Sequence, residues 1–249
     1  MRIEGLRYAG APKLPVHDLT TEMTLMNTTT ALTIDIVSDV VCPWCYIGKR
    51  KLEAALALPE AAGLPPVHIR WHPFQLNPDL PVEGIPRQQY IETKFGGPQR
   101  AKEIYARVSA AGAAVGLDLN FDGITQQANT LSAHALIAFA QQSQGNGADN
   151  RIGNSVKESL LKACFIEGRF IGSLDVLVAI AVETGLDGDA ARTYLSDPAH
   201  LAEVSQADAQ ARQMGVTGVP FFIFNQKVAV SGAQEPKALL AAMHKALTG

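Results

Sequence analysis

The strongest constraint on the fold is a pair of cysteines, Cys42 and Cys45, between a strand pattern and a helix pattern. The preceding segment 32–38 (LTIDIVS) is β-branched and largely apolar, which predicts a buried strand. After the pair, apolar residues recur at helical spacing as far as Pro59. Pro43 suits the first helical position, because a missing N–H costs nothing there. A strand therefore leads directly into a helix that begins with two thiols.

Further strand patterns occur near both ends of the chain, with helical patterns between them. The alternating segment 67–74 predicts a second strand, and the proline-rich segment 75–86 predicts an extended connector. Apolar segments at 219–224 and 227–232 flank two turn residues, Asn225 and Gln226, which predicts a hairpin. Helices are predicted at 87–95, 99–115, 128–144, 152–167, 175–184, 187–195, 199–214 and from Pro236 to about Leu247.

This order of elements predicts an α/β protein with a thioredoxin-like fold and an inserted all-helical domain. A parallel β-α-β unit comes first, and an antiparallel hairpin with a closing helix comes last. We predict a flexible N-terminal tail at 1–31 and the first half of the thioredoxin-like domain at 32–78. The helical insertion is predicted at 79–198 and the second half of the domain at 199–249.

Composition and charge limit the setting in which the protein acts. The net charge of −3 gives no electrostatic reason to expect nucleic acid or an anionic membrane as a partner. No apolar run approaches the roughly 18 residues that span a bilayer, and the N-terminal segment lacks the apolar stretch of a secretory signal. We therefore expect a cytoplasmic protein. In that reducing compartment, two nearby cysteines indicate catalysis or metal binding rather than a structural disulfide.

The position of Cys42 predicts thiol chemistry. If Pro43 begins the helix, Cys42 is the N-cap and faces unpaired N–H groups, which favour its thiolate as a nucleophile. Cys45 then lies one turn further on and can resolve a mixed disulfide formed at Cys42. Asp39 could accept a proton, but as an anion near Cys42 it would also raise the pKa of that thiol. Trp44 is a candidate for an apolar rim around the dithiol.

A metal site is the main alternative use for such a pair. Zinc normally takes four ligands, and the chain has one further cysteine, Cys164, with His68 and His72 as the only near histidine pair. The context of strand, Cys-x-x-Cys and helix favours redox chemistry instead. We therefore expect neither a metal nor a cofactor.

The segment 215–220 (GVTGVP) is the second candidate part of the site. Proline is tolerated at the first residue of a strand, and an X-Pro bond can be cis at modest cost. Pro220 could thus place the backbone of Val219 beside the dithiol, where an extended polypeptide could form hydrogen bonds. We predict that Val219, Pro220 and Thr217 bind substrate.

Four motifs in order resemble the DsbA-like branch of the thioredoxin superfamily, and most closely its FrnE-type cytoplasmic members. They are 38–48 (SDVVCPWCYIG), 72–79 (HPFQLNPD), 128–134 (ANTLSAH) and 215–234 (GVTGVPFFIFNQKVAVSGAQ). The resemblance implies a thioredoxin fold with a helical insertion, a cis-proline at Pro220, and protein disulfide oxidoreductase or isomerase activity. The expected partners are protein or small-molecule thiols and disulfides, glutathione among them.

Two other functions remain open. One is a glutathione-dependent isomerase or transferase of the kappa type, although those relatives typically carry serine in place of the nucleophilic Cys42 and need no second thiol. The other is a chaperone in which the dithiol is vestigial. Cys164 departs from the pattern of the resembling family, where an aromatic residue is common. It is either a small buried apolar residue or a third thiol that exchanges with the pair.

Overall fold

The computed structural model describes residues 31–144 and 150–248, so the predicted tail lies, except for residue 31, outside the described residues. Four strands form one mixed sheet in the order β2-β1-β5-β6. The central strand β1 (Leu32–Ser38) pairs in parallel with β2 (Val67–Pro73). On its other side β1 pairs antiparallel with β5 (Phe221–Phe224), which forms a hairpin with β6 (Val228–Ser231). This is the predicted thioredoxin-like order.

Two helices next to the sheet carry the segments around the dithiol. Helix α1 (Pro43–Leu56) follows β1 and packs against α9 (Pro236–Thr248), which also contacts both strands of the hairpin. The buried face of α1 includes Ile47, Leu52 and Ala55, at the spacing of an amphipathic helix. Because these residues lie in the same core as β1, the start of α1 is held at one edge of the sheet.

Seven helices lie between β2 and β5 in sequence, over the part of the chain that the structure describes. They are α2 (Arg87–Phe95), α3 (Pro98–Ala113), α4 (Leu131–Gln142), α5 (Arg151–Phe165), α6 (Leu174–Glu183), α7 (Gly188–Ser196) and α8 (Pro198–Gln213). Helices α4, α5 and α8 contact β2, whereas α3 and α5 contact α1. The inserted helices and the sheet thus share a core, and the domain boundaries at 78/79 and 198/199 stay predictions. No helix in the described ranges is long and apolar enough to cross a membrane.

The structure differs from the sequence interpretation at two turns. A second, two-stranded sheet joins β3 (Ile85–Pro86) to β4 (Gln126–Gln127), so α4 begins three residues later than expected. The delay has a local cause, because the Asn129 side chain accepts a hydrogen bond from the Leu131 N–H at 2.9 Å and holds a turn there. The loop of the β5–β6 hairpin spans 225–227 rather than two residues.

One close approach fixes the distance between α1 and the segment before β5. A Cβ atom added to Gly48, in the middle of α1, would lie 2.8 Å from Cγ of Pro220 and 3.3 Å from the ring of Phe222. Both distances are shorter than normal carbon contacts. Only glycine therefore lets α1 lie this close to Pro220.

We expect Gly48→Ala to destabilise the protein by about 1 kcal/mol net. Overpacking a tight contact costs about 1–3 kcal/mol, whereas helix propensity alone would favour alanine by about 1 kcal/mol. The free energy of unfolding from urea titration measures the net effect. Gly63→Ala is the control, because its Cβ would meet nothing within 4 Å. A Gly48→Ala protein as stable as the wild type would contradict the close packing.

Candidate active site

The two cysteines lie where α1 begins. Cys42 is the N-cap, with an extended backbone (φ −99°, ψ 109°), and Pro43 is in the first helical turn. The Cys45 N–H donates to the Cys42 carbonyl at 3.0 Å, which closes that turn and sets both side chains on the same side of the helix. Both are free thiols. They are largely buried, with 4% of Cys42 and 1% of Cys45 exposed.

The thiol of Cys42 faces the segment before β5. Its Sγ donates to the carbonyl oxygen of Val219 at 3.7 Å, and the Val219–Pro220 peptide bond is cis. Pro220 is buried behind this contact, against Gly48. Thr217, the third residue predicted to bind substrate, is exposed and does not line the cavity beside Cys42. The structure therefore brings Val219 and Pro220 to the dithiol, but not Thr217.

A buried carboxylate lies under the dithiol. Asp39 is fully buried and accepts hydrogen bonds from the N–H groups of Val40 at 2.7 Å and Leu76 at 2.8 Å. Its Oδ1 is also 3.2 Å from Nε2 of His134 on α4. Burial by itself would raise the pKa of Asp39, but the hydrogen bond and charge of His134 outweigh burial and lower it. Asp39 is therefore a buried anion.

A buried lysine on α5 supplies the opposing charge. Lys157 is 1% exposed, and its Nζ lies 5.2 Å from the centroid of the Trp71 ring. Burial lowers the pKa of Lys157 to about 8, against the attraction of Cys45 and Asp39, which acts to raise it. Lys157 is thus a cation beside the resolving thiol near neutral pH.

These charges act on the two thiols in opposite directions. The pKa of Cys42 is well above its ordinary value, chiefly because of the hydrogen bond with Cys45, and burial and the charge of Asp39 add to the effect. Burial would also raise the pKa of Cys45, but the bond from Cys42 and the charge of Lys157 lower it. The sequence left the direction of the Cys42 pKa shift open, because a helix N-terminus lowers the pKa of a thiol whereas the charge of Asp39 raises it. The two thiols are therefore inequivalent, with the pKa of Cys42 raised and that of Cys45 lowered.

Cys42 opens into a cavity of about 360 Å³ between α1 and the inserted helices, whereas Cys45 does not line it. Trp44, 41% exposed, lies at the rim as predicted. Tyr46 is not part of the rim: it is buried, and its hydroxyl donates to Glu158 at 2.7 Å. The wall is mostly apolar and includes six aromatic side chains besides Trp44, namely Tyr90, Phe95, Tyr105, Phe121, Phe165 and Phe170.

The third cysteine is in the wall of the same cavity. Cys164, on α5, is buried, and burial raises its pKa to about 12. A thiol with so high a pKa is almost wholly protonated near neutral pH and is a poor nucleophile. The structure thus favours the interpretation of Cys164 as a small buried apolar residue.

Sequence reasoning missed Lys157 as a part of the site. One signal was present: Lys157 interrupts the apolar positions of α5, between Val156 and Leu160, where a charged side chain is rarely buried without a partner. His134 was predicted to be an interior histidine with satisfied hydrogen bonds, and its contact with Asp39 is of that kind. That it contacts the carboxylate under the dithiol was not foreseeable from its position in the sequence.

A thioredoxin-like sheet with a dithiol at the head of its first helix defines the class of thioredoxin-fold oxidoreductases. The family model of the DSBA-like thioredoxin domain matches residues 33–244, so the chain belongs to that family of thiol–disulfide oxidoreductases.

Individual proteins are similar to the chain over most of its length. The uncharacterized protein YwbO of Bacillus subtilis (strain 168) is 27% identical over 201 residues, which cover 78% of this chain and 88% of YwbO. The crystal structure of a probable DsbA oxidoreductase from Streptomyces coelicolor is similar, with a TM-score of 0.75, 29% identity and coverage of 87% and 90% of the two chains. The cytosolic disulfide reductase DsbM from Pseudomonas aeruginosa, solved with GSH, shares the fold (TM-score 0.54, 20% identity, coverage 86% and 95%).

We expect Asp39→Asn to lower the apparent pKa of the dithiol, because the negative charge that raises the pKa of Cys42 is removed. The ultraviolet absorbance of the thiolate, followed against pH, measures this change. Asp208→Asn is the control: Asp208 is also buried, but it accepts from the Gln75 N–H and pairs with Arg212 instead. An unchanged or raised midpoint in the Asp39 variant would disprove the electrostatic assignment.

We expect Lys157→Met to stabilise the fold and slow thiol exchange. A pKa lowered from 10.5 to about 8 means that burying the charged lysine costs about 3 kcal/mol below pH 8. Between pH 8 and 10.5 Lys157 has lost its proton in the folded chain but still holds it in the unfolded chain. The unfolding free energy of the wild type therefore rises with pH in this range and approaches that of Lys157→Met. Urea unfolding at several pH values measures the difference in unfolding free energy between Lys157→Met and the wild type.

Lys162→Met is the matched control, because Lys162 is exposed on the same helix and pairs with Glu167. It should leave the pH dependence of stability unchanged. If Lys157→Met were no more stable than the wild type at neutral pH, the buried charge would not carry the predicted cost.

Proposed function

We propose that the protein exchanges disulfides with protein or small-molecule thiol substrates, with Cys42 as the nucleophile and Cys45 as the resolving thiol. The observation that carries the proposal is the asymmetry of the pair: Cys42 lines the cavity and faces Val219, whereas Cys45 lies behind it. A substrate sulfur can therefore reach Cys42 and not Cys45. Pro43 supports this asymmetry by starting the helix at the right residue.

The first step needs the proton to leave Cys42. Loss of the Cys42 proton to water produces the thiolate, which is the nucleophile. The Cys42 thiolate then attacks one sulfur of the substrate disulfide. A mixed disulfide with Cys42 forms, the substrate S–S bond breaks, and the other substrate sulfur leaves as a thiolate that takes a proton from water.

The second step needs the Cys45 thiolate. Cys45 loses its proton to water, the charge of Lys157 favours the resulting thiolate, and that thiolate attacks the Cys42 sulfur of the mixed disulfide. The Cys42–Cys45 disulfide forms and the second substrate thiol is released, so two electrons have passed from the dithiol to the substrate. Run in reverse, the same steps oxidise a substrate dithiol, and a mixed disulfide that escapes before the second step allows isomerisation.

Substrate is held by the segment before β5 in this proposal. An extended polypeptide could form hydrogen bonds with the backbone of Val219, with Pro220 packed behind it and Trp44 at the rim. Asp39 acts on the chemistry through the pKa of Cys42 and does not touch the substrate. Thr217 is exposed outside the cavity, so it would contact only a substrate long enough to extend beyond the cavity.

We also propose a cytoplasmic setting, with glutathione as the small thiol that recycles the dithiol. The supporting observation is the structural likeness to a protein described as a cytosolic disulfide reductase with GSH. A kappa-type glutathione transferase would not need Cys45, whereas here Cys45 lies beside Lys157, which favours its thiolate. The charge arrangement thus favours exchange over conjugation.

We expect Cys42→Ser to abolish insulin reduction and refolding of scrambled ribonuclease. Cys45→Ser should instead accumulate a mixed disulfide at Cys42, since attack still occurs but resolution does not. Mass spectrometry under non-reducing conditions detects that adduct. The double variant Cys42→Ser/Cys45→Ser is the control and should trap nothing.

Two results would contradict the proposal. Equal protection of unfolded protein by the wild type and Cys42→Ser, with no insulin reduction by either, would indicate a chaperone. Conjugation of glutathione to an electrophile by the wild type, unaffected by Cys45→Ser, would indicate the kappa-type alternative.

A further inference from the structure

The charges around the cavity beside Cys42 are of one sign. Its wall includes Arg87, Lys94 and Arg169, and no aspartate or glutamate among the described residues. The Arg169 guanidinium is already paired with Glu183, at 3.0 Å. An anion that enters the cavity would therefore meet cations and no opposing carboxylate.

Arg87 is the cation that is fixed in the wall without a counter-ion. Its guanidinium donates to the Gln127 side chain and, at 2.6 Å, to the Tyr105 hydroxyl, and it lies 5.1 Å from the centroid of the Tyr90 ring. These partners are neutral, and Arg87 forms no ion pair with a carboxylate of the described residues. Its Nε is buried and has no hydrogen-bond acceptor. A carboxylate on a ligand would give this guanidinium the charged partner that it lacks, and hydrogen bonds between such charged groups are among the stronger ones.

The rest of the wall suits a flat apolar group. Tyr105 and Phe121 are stacked with ring centroids 4.3 Å apart, and Phe165 meets Phe121 edge-on at 6.0 Å. Side chains on α3, on α5 and in the segment between α3 and β4 thus form an aromatic lining. A volume of about 360 Å³ is at the lower end of the range for small-ligand pockets, so a compact ring system fits and a folded protein does not.

We propose that this cavity binds low-molecular-weight disulfides that carry an apolar, preferably aromatic, body and a carboxylate. The carboxylate would accept hydrogen bonds from Arg87, the apolar body would lie against the aromatic side chains, and the disulfide would lie at Cys42. The inference rests on the proposed exchange function and names a substrate class for the same dithiol.

The chemistry balances without a further component. The Cys42 thiolate attacks the ligand disulfide and one aryl thiolate leaves; Cys45 then attacks Cys42 and the second aryl thiol leaves. One ligand disulfide gives two thiols, and the protein dithiol becomes the Cys42–Cys45 disulfide. A single turnover therefore needs only the reduced protein and the ligand.

The test compares two aromatic disulfides that differ in charge: dithiobis-nitrobenzoate, which carries carboxylates, and dithiodipyridine, which is neutral. The second-order rate constant for reduced protein is measured by absorbance of the released thiol. We expect Arg87→Gln to slow the anionic probe about tenfold or more and to change the neutral probe less than about twofold. Arg87→Lys should keep most of the wild-type preference for the anionic probe over the neutral one, because it retains the positive charge. Arg107→Gln is the matched control, because it removes the same charge from an exposed position on α3.

Arg87 also contacts Gln127 and Tyr105, so the fold of each variant is checked by circular dichroism. A second measurement needs no substitution: naphthoate, an aromatic carboxylate without sulfur, should compete with the anionic probe on the wild-type protein. No competition, or an Arg87→Gln effect that is equal for both probes, would overturn the inference while Cys42-dependent exchange still stood. If the wild type exchanged with neither probe nor insulin, the proposed function itself would fail.

Discussion

The contact between Cys42 and the carbonyl of Val219 is the point on which the site depends, because it joins segments 177 residues apart. The sheet explains how they meet. Val37, near the end of β1, pairs antiparallel with Phe221, the first residue of β5. The chain that leaves β1 toward Cys42 and the chain that arrives at β5 through Val219 therefore lie at the same edge of the sheet. Gly48 then allows α1 to pack close enough for the thiol to reach the carbonyl.

Charged groups are buried beneath this contact, at a cost to the stability of the fold. Asp39 and Lys157 are buried beside the neighbouring ring of His134, and burying a charged group such as Asp39 or Lys157 costs free energy unless it is paired. Two of these groups act on the thiols, since the charge of Asp39 adds to the raised pKa of Cys42 and the charge of Lys157 helps to lower the pKa of Cys45. Sites of chemistry commonly carry such a cost. The inserted helices supply two of the three groups, so the insertion forms part of the site.

Much of this could be predicted from local pattern. The strand, the Cys-x-x-Cys pair and the helix follow one another within 25 residues, from Leu32 to Leu56, and hydrophobic period and Pro43 were enough to place each. The short ladder between Ile85 and Gln127 was not predictable, because two-residue strands have no period to detect. The sign of the Cys42 pKa shift was also out of reach, since it depends on burial and on the side-chain contact with Cys45, which the sequence does not specify.

By itself the sequence determined the order of the elements, the dithiol at a helix N-terminus and the proline before the late hairpin, because these features depend on residues close together in the chain. Only the tertiary structure decided which distant side chains surround the sulfurs. Lys157, His134 and Arg87 come from three different helices, and their roles follow from burial and from the partners they meet. The dithiol was therefore evident in the sequence, whereas the charge of its surroundings and the cavity that receives a substrate were set by packing.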